Sequence, residues 1–295
     1  MTRRWIVGMM TLIGLSQALT CGLCEAVVPT ETLESPASKW DILEVADYTA
    51  GLEAARQRSA LLLVSVEPEP VATATDLVAR SLRETAIRSC FEKADTPWVF
   101  CALGLDEGGH DLLASPALRE LRGGPGVFVV DQAHPAWLGR IVSVLPRTAG
   151  RYYEFDPADL ALLADLPPGP LTQRSLIFAV RRHPDSPQST SGACDQMLCD
   201  AAAAHSTHQA TLKQQGHHGW QARSQQLAAG RGSASEVCAE SWPDQDLLDS
   251  CVDCVACWRQ SAGHWATVSQ PQNAFGYDIR RGTNGIWYAT GIFIR

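Results

Sequence analysis

Apolar residues follow two different periods along the first half of this chain, one typical of buried strands and one typical of amphipathic helices. Apolar runs of strand length occupy residues 60–66, 98–105, 127–130 and 137–145. Segments with helical spacing occupy residues 46–59, 75–94, 111–122 and 157–166. The resulting order, α-β-α-β-α-β-β-α, predicts an α/β domain with a parallel-containing sheet over residues 38–165.

A second pattern begins after a stretch rich in helix-breaking residues. Residues 167–170 read Pro-Pro-Gly-Pro, and 185–192 are rich in Ser, Pro and Gly, which predicts a linker over residues 166–192. Within it, an ordered strand or helix over residues 171–180 that bridges the two domains is the alternative. The second domain, residues 193–295, then has two helical segments followed by two apolar runs around Asn284-Gly285. Asn-Gly between apolar runs predicts a β-hairpin.

Composition and charge narrow the class of protein. The net charge of −8 argues against nucleic-acid binding through a large cationic face, and 45% hydrophobic residues allow a packed core. Arg3-Arg4 followed by an apolar run to residue 19 predicts a signal peptide over residues 1–26, hence an exported protein in the periplasm or outside the cell. A short uncleaved anchor is the alternative, and it is the one expected route to a membrane.

Cysteines are concentrated in the second domain. In an exported chain, six cysteines within a short span predict a structural role. Bridges from Cys251 or Cys254 to Cys194, Cys199 or Cys238 are one expectation, and buried free thiols acting as small apolar residues are the other. The structural cysteines are Cys194, Cys199, Cys238, Cys251, Cys254 and Cys257.

The order of elements in the first domain, and the segment 124–131 with its Gly-Pro-Gly start, resemble the thioredoxin fold, in which a cis-proline stands at this place. After its first core strand that family carries Cys-x-x-Cys at a helix N-terminus. This chain has Glu67-Pro68-Glu69-Pro70 there, and its Cys90 and Cys101 lie elsewhere. The resemblance therefore implies a redox-inactive module that docks a partner.

The second domain carries the box Trp258-x-x-Ser261-x-Gly263-His264, which resembles the box of the CAP superfamily of cysteine-rich secretory, antigen and pathogenesis-related proteins. The segment at Glu236 matches that family's Gly-Glu-Asn segment, and either His217 or His218 matches its first histidine. The resemblance implies an α-β-α sandwich with these side chains in an open cleft. The family's second carboxylate is missing near Ser261.

By this resemblance, His217, Glu236 and His264 are the expected ligands of a divalent cation such as zinc. Two imidazoles and one carboxylate can hold zinc together with a water. A hydrogen-bonded cluster without metal is the alternative. His205 and His208 lie three residues apart on a mostly apolar helix face, where a packed core histidine is the more common outcome, and no third ligand is evident there.

These features favour an exported, non-catalytic binding protein, with no catalytic residue assigned. The cleft of His217, His218, Glu236 and His264 would bind a small ligand, a lipid or a wall polymer, so the expected partners are an extracytoplasmic protein, lipid or polysaccharide. One rival is a metal-assisted hydrolase with Glu236 as base. Another is a thiol–disulfide redox protein using the overlapping Cys-x-x-Cys units of residues 251–257.

Overall fold

Two mixed sheets and the helices around them make up the described part of the chain, in a computed structural model that describes residues 40–42, 47–69, 77–105 and 109–295. These residues lie within one compact unit, Ser38–Arg295. The predicted signal peptide, residues 1–26, lies outside the described residues. The α/β class is confirmed, with each sheet occupying one of the two predicted domain spans.

The elements are numbered in chain order. The strands are β1 Trp40–Ile42, β2 Leu61–Glu67, β3 Trp98–Gly104, β4 Gly126–Asp131, β5 Ile141–Pro146, β6 Ala193–Cys194, β7 Ala234–Glu240, β8 Ala274–Arg281 and β9 Trp287–Ile294. The helices are α1 Tyr48–Gln57, α2 Leu77–Arg83, α3 Thr85–Lys93, α4 Gly109–Leu113, α5 Asp159–Ala164, α6 Leu171–Arg182, α7 Gln196–Leu212, α8 Trp220–Ala228, α9 Leu247–Gln260 and α10 Ala262–Val268. Short 3-10 turns cover Pro116–Leu121 and Pro135–Trp137.

The first sheet has the strand order β1-β3-β2-β4-β5. Strands β1, β3 and β2 run parallel, and β4 and β5 are added antiparallel, which confirms the parallel-containing sheet. Every residue of β2 and β3 is buried, as expected for strands covered on both faces. No cis peptide bond occurs in the described residues, so the bond before Pro125 is trans, unlike the cis-proline of the family that this segment resembles.

The second sheet has the order β6-β8-β9-β7 and is covered on both faces by helices. Leu198 and Ala202 of α7 pack with Ile292 on one face. On the other face, Tyr277 packs with Trp258 of α9 in a larger hydrophobic cluster. The α-β-α layering places α7 and α8 on one side of the sheet and α9 on the other. The hairpin of β8 and β9 is confirmed, and Gly285 has the positive φ of 79° that its turn requires.

Helix α6 occupies the span where a linker was predicted. Residues 173–180 are buried without interruption, because α6 packs against β5 of the first sheet, β8 of the second sheet and α9. A single hydrophobic cluster includes residues of both sheets and of α6. Even the Arg174 guanidinium is buried, and it donates to Ser143 Oγ at 2.8 Å and to two backbone carbonyls. The two halves therefore share a core across α6.

The layering also bears on the predicted disulfides. All eight described cysteines are free thiols. Cys251 and Cys254 are fully buried in the cluster on the α9 face, whereas Cys199 belongs to α7 on the opposite face. The expected bridge from Cys251 or Cys254 to Cys199 is therefore wrong, since the sheet lies between the two helices.

Candidate functional site

Three side chains that the sequence singled out lie next to one another beside the edge strand β7. Glu236 is the third residue of β7, and His264 lies in the first turn of α10. His217 belongs to the turn of residues 213–219 between α7 and α8. This turn is fixed to α7, because the backbone N–H of Gly216 donates to Gln209 Oε1 at 3.0 Å.

Glu236 is the centre of the cluster, and its side chain is fully buried. Its Oε1 accepts a hydrogen bond from His217 Nδ1 at 3.0 Å and lies 3.7 Å from His205 Nε2. Its Oε2 accepts from Arg223, through Nε at 3.1 Å and through Nη2. Both oxygens of the carboxylate are therefore occupied by donors, as a buried charge requires.

The electrostatics of Glu236 favour its ionised form. Burial alone raises the pKa of a carboxyl group, but here the hydrogen bond from His217 and the neighbouring His205 and Arg223 outweigh burial and hold the Glu236 pKa below its usual range. Glu236 is therefore a fixed negative charge that orients its neighbours.

His217 and His264 form the outer part of the cluster. Because Glu236 accepts from His217 Nδ1, the neutral tautomer of this ring that matches the contact has its proton on Nδ1 and its lone pair on Nε2. His217 Nε2 lies 3.5 Å from His264 Nε2. Burial and the proximity of His217 lower the pKa of His264, which favours its neutral form. The site thus presents two imidazole nitrogens to each other at an accessible edge, since 43% of the His217 side chain is exposed.

His218 points to a different place. Its ring centroid lies 5.7 Å from that of His208 and 6.3 Å from that of His205. These three histidines and Arg223 are among the residues that line a groove of about 550 Å³ between α7 and α8. Of the two histidines between which the sequence left the choice open, His217 is the one that contacts Glu236.

Two sets of atoms are close enough to hold a cation, and the donor chemistry distinguishes them. His205, Glu236 and Cys238 have ligand atoms within 4.8 Å of one another. However, His205 Nε2 donates to the carbonyl of Gly216 at 2.9 Å, the Arg223 guanidinium is bonded to Glu236, and burial raises the pKa of the Cys238 thiol. This inner set does not fit a cation.

The pair of His217 and His264 has a spacing that matches two ligands of one cation, and without an ion the same contact is a hydrogen bond between the two rings. Two Zn–N bonds of the usual length at a tetrahedral angle place the nitrogens about 3.4 Å apart, which is close to the 3.5 Å between the two Nε2 atoms. Glu236 is hydrogen-bonded to Nδ1 of His217, the nitrogen on the other side of the ring from Nε2. It therefore lies behind that ring and does not face His264. A carboxylate behind a ligating histidine is a common arrangement at metal sites.

Two residues of the cluster were missed by sequence reasoning. His205 was expected as a packed core histidine, and it is indeed buried, but it also lies against Glu236. Arg223 belongs to α8, a helix that was not predicted because Leu227 is its one fully buried residue and it therefore has no apolar stripe. An arginine five residues after His218 was the available signal.

The end of β2, where the thioredoxin family places its cysteine pair, holds a buried carboxylate instead. Glu67 accepts hydrogen bonds from Ser65 and from Arg147, the latter at 2.5 Å. The two thiols of this half are poorly suited to exchange: burial raises the pKa of Cys101 to about 12, and the Cys90 S–H donates to the carbonyl of Ala86.

Comparison with protein-family models, with curated proteins and with solved structures finds no match to this chain. Among the described residues, no helix is both long enough and apolar enough to cross a membrane.

Proposed function

We propose that this chain is an exported, non-catalytic binding protein whose CAP-like cleft holds a divalent cation such as zinc between His217 and His264. A bound cation would offer its open coordination positions to an oxygen or nitrogen atom of a small ligand or wall polymer. The observation that carries the proposal is the 3.5 Å approach of the two Nε2 atoms, with His217 oriented from behind by Glu236.

The state of Glu236 favours binding over hydrolysis. A metal-assisted hydrolase would need this carboxylate free to accept a proton from water. In this site both oxygens already accept from His217 and Arg223, and the lowered pKa makes the carboxylate a weak base. We therefore assign Glu236 an orienting role, in place of the direct metal ligation that the sequence had predicted.

The first sheet has the role of docking an extracytoplasmic partner in this proposal. Its parallel strands β1, β3 and β2 with β4 and β5 added antiparallel agree with the parallel-containing sheet expected for this half, which supports the assignment. The tethering of Glu67 by Ser65 and Arg147, at the place of the missing cysteine pair, is consistent with a module that does not perform thiol exchange. The location outside the cytoplasm rests on the sequence of residues 1–26.

Zinc titration of the full chain tests the site. We expect saturable binding of one Zn²⁺ by calorimetry in the Cys257→Ser background, which removes an exposed thiol. Either His217→Ala or His264→Ala should weaken zinc binding by more than about 100-fold, because one of the two protein ligands is lost. Glu236→Gln should weaken zinc binding by about tenfold, because a hydrogen bond that orients His217 is lost.

His208→Ala is the matched control, since His208 lies in the neighbouring α7–α8 groove and not between His217 and His264. This variant should bind zinc as tightly as the parent. Absence of zinc binding by the parent, or an equal loss in His208→Ala and His264→Ala, would refute the assignment of the cation site.

A further inference from the structure

Two cysteine sulfurs lie in contact at the start of the second half. Cys194 ends the edge strand β6, and Cys199 lies in the first turn of α7. Both are free thiols, and their Sγ atoms are 3.6 Å apart. A disulfide requires about 2.05 Å between the sulfurs, so the two sulfurs must approach each other by about 1.5 Å to form one.

The surroundings give the two thiols different characters. With Cys199 as the donor, the contact between the two sulfurs lowers the pKa of Cys194, and the positive charge of Arg181 acts in the same direction, against burial and the negative charge of Asp195. The same hydrogen bond, together with burial, raises the pKa of Cys199. Cys194 also precedes the N-cap Asp195 of a 17-residue helix, where the helix dipole favours a negative charge. Cys194 is therefore suited to attack a disulfide first, and Cys199 is suited to attack the mixed disulfide that results.

The solvent exposure of the two cysteines agrees with these roles. Cys194 is partly exposed, whereas Cys199 is buried beneath it. The other thiols of this half lack the combination of exposure and a lowered pKa. Cys238, Cys251 and Cys254 are buried, and burial raises their pKa values. Cys257 is exposed, but partial burial of its thiol, together with Asp253 and Glu240, raises its pKa. A reagent in solution would therefore meet an activated sulfur with a second thiol in contact at Cys194.

We propose that Cys194 and Cys199 are a reversible dithiol–disulfide pair that exchanges with low-molecular-weight disulfides. The Cys194 thiolate attacks one sulfur of the small disulfide, forms a mixed disulfide and releases one small thiolate. Cys199 then loses its proton and attacks Cys194, which breaks the mixed disulfide and releases the second small thiolate. The protein is oxidised by two electrons, and one small disulfide is reduced to two thiols.

The bond would connect β6 covalently to the first turn of α7. The backbone already holds these two elements together, since the Asp195 N–H donates to the carbonyl of Phe275 and the Asp195 carboxylate caps α7 at Leu198 and pairs with Arg231. The disulfide would therefore form at the end of α7 that is anchored to the sheet. This pair does not depend on the cation site at His217 and His264.

Peptide mapping of the full chain tests the proposal directly. Trypsin leaves Cys194 and Cys199 on one peptide, residues 183–213, and the other four cysteines of this half on residues 232–259. The reduced native protein is exposed to oxidised glutathione, its remaining thiols are blocked with iodoacetamide, and it is digested. We expect the 183–213 peptide to be unalkylated and lighter by two hydrogen atoms, and treatment of the native oxidised protein with dithiothreitol before blocking to restore two alkylation sites.

Two variants make the result specific. Cys194→Ser should abolish the internal bond and leave Cys199 as a blocked thiol. Cys257→Ser, which removes an exposed cysteine outside the pair, should leave it unchanged. Two alkyl groups on 183–213 after oxidation, glutathione retained on Cys194, or a cross-link between 183–213 and 232–259 would each overturn the proposal. So would an internal bond that dithiothreitol cannot reduce in the native protein.

Discussion

Replacing Asp249 with alanine is expected to lower the free energy of unfolding by about 3 kcal/mol. Asp249 lies buried in the first turn of α9. Its carboxylate accepts three backbone N–H groups, from Arg151 at 2.8 Å, Tyr152 at 3.0 Å and Tyr153 at 2.8 Å. Hydrogen bonds to a charged acceptor are among the stronger ones, and alanine leaves these donors without a protein partner.

Urea unfolding monitored by circular dichroism measures this loss. Asp249→Asn should cost less than Asp249→Ala, because an amide oxygen still accepts part of the set. Glu92→Ala is the exposed control, since 43% of the Glu92 side chain is exposed and it contacts Arg88 at 2.7 Å on the surface of α3; it should change stability by less than about 0.5 kcal/mol. Equal losses at 92 and 249 would contradict the structural role of the Asp249 carboxylate.

The same experiment bears on how the two halves unfold. The bonds of Asp249 join segments almost one hundred residues apart, and α6 is buried between both sheets. We therefore expect one cooperative transition for the described part of the chain, and the Asp249→Ala variant should shift that whole transition. Two separate transitions would indicate that residues 38–165 and 193–295 unfold as independent domains.

Much of the strand content could be predicted because its local signal is strong. The apolar runs at β2 and β3 are continuous, and the hairpin of β8 and β9 is marked by Asn284-Gly285. Helices were harder to delimit. Residues 75–94 were expected as one helix, but the described chain has α2 and α3, separated at Glu84, whose backbone is extended. Spacing of apolar residues cannot reveal such a break, since both pieces keep the same buried side.

The burial of α6 could not be predicted for a different physical reason. Pro-Pro-Gly-Pro before it and Ser-rich sequence after it are typical of a linker, and the segment contains Gln173 and Arg174. Both are buried, because the helix is contacted from two sheets and Nε and Nη1 of Arg174 find acceptors at Ser143 and on the backbone. Whether a polar side chain has such partners is decided by tertiary contacts, which the local pattern does not contain.

The candidate site shows the same division. Residues His217, Glu236 and His264 were selected by resemblance to one family, which carries spatial information that spacing lacks. The family resemblance did not point to Arg223, although Arg223 supplies the positive charge that balances Glu236. The choice of His217 over His218 depends on the turn after α7, in which one ring faces Glu236 and the other faces His208.

Removing the Glu236 carboxylate is expected to have the second large effect. Glu236→Ala should lower the free energy of unfolding by about 3 kcal/mol, because it leaves the mostly buried guanidinium of Arg223 without its counter-charge. It also frees His217 Nδ1, so the ring loses its fixed orientation. Glu236→Gln should be milder, since its amide oxygen still accepts one of these hydrogen bonds.

The pH dependence of this loss follows from the lowered pKa of Glu236. The carboxyl titrates near 4.3 in the unfolded chain, to within about one unit, and lower in the folded protein. Its stabilising contribution is therefore fully present above the unfolded pKa and is lost as the pH falls through the folded pKa. The difference in unfolding free energy between wild type and Glu236→Gln should be largest near pH 7 and should shrink below pH of about 4.

A double-mutant cycle with Arg223 separates the charge pair from simple loss of packing. Arg223→Met keeps most of the side-chain volume and removes the guanidinium, so it should leave the buried Glu236 carboxylate without its counter-charge. It should lower the free energy of unfolding by about as much as Glu236→Ala. The double variant should then cost less than the sum of the two single changes, because neither charge is left alone. Unfolding free energies that add, or that keep the same differences from pH 7 to pH 3, would show that Glu236 and Arg223 are not coupled as charges.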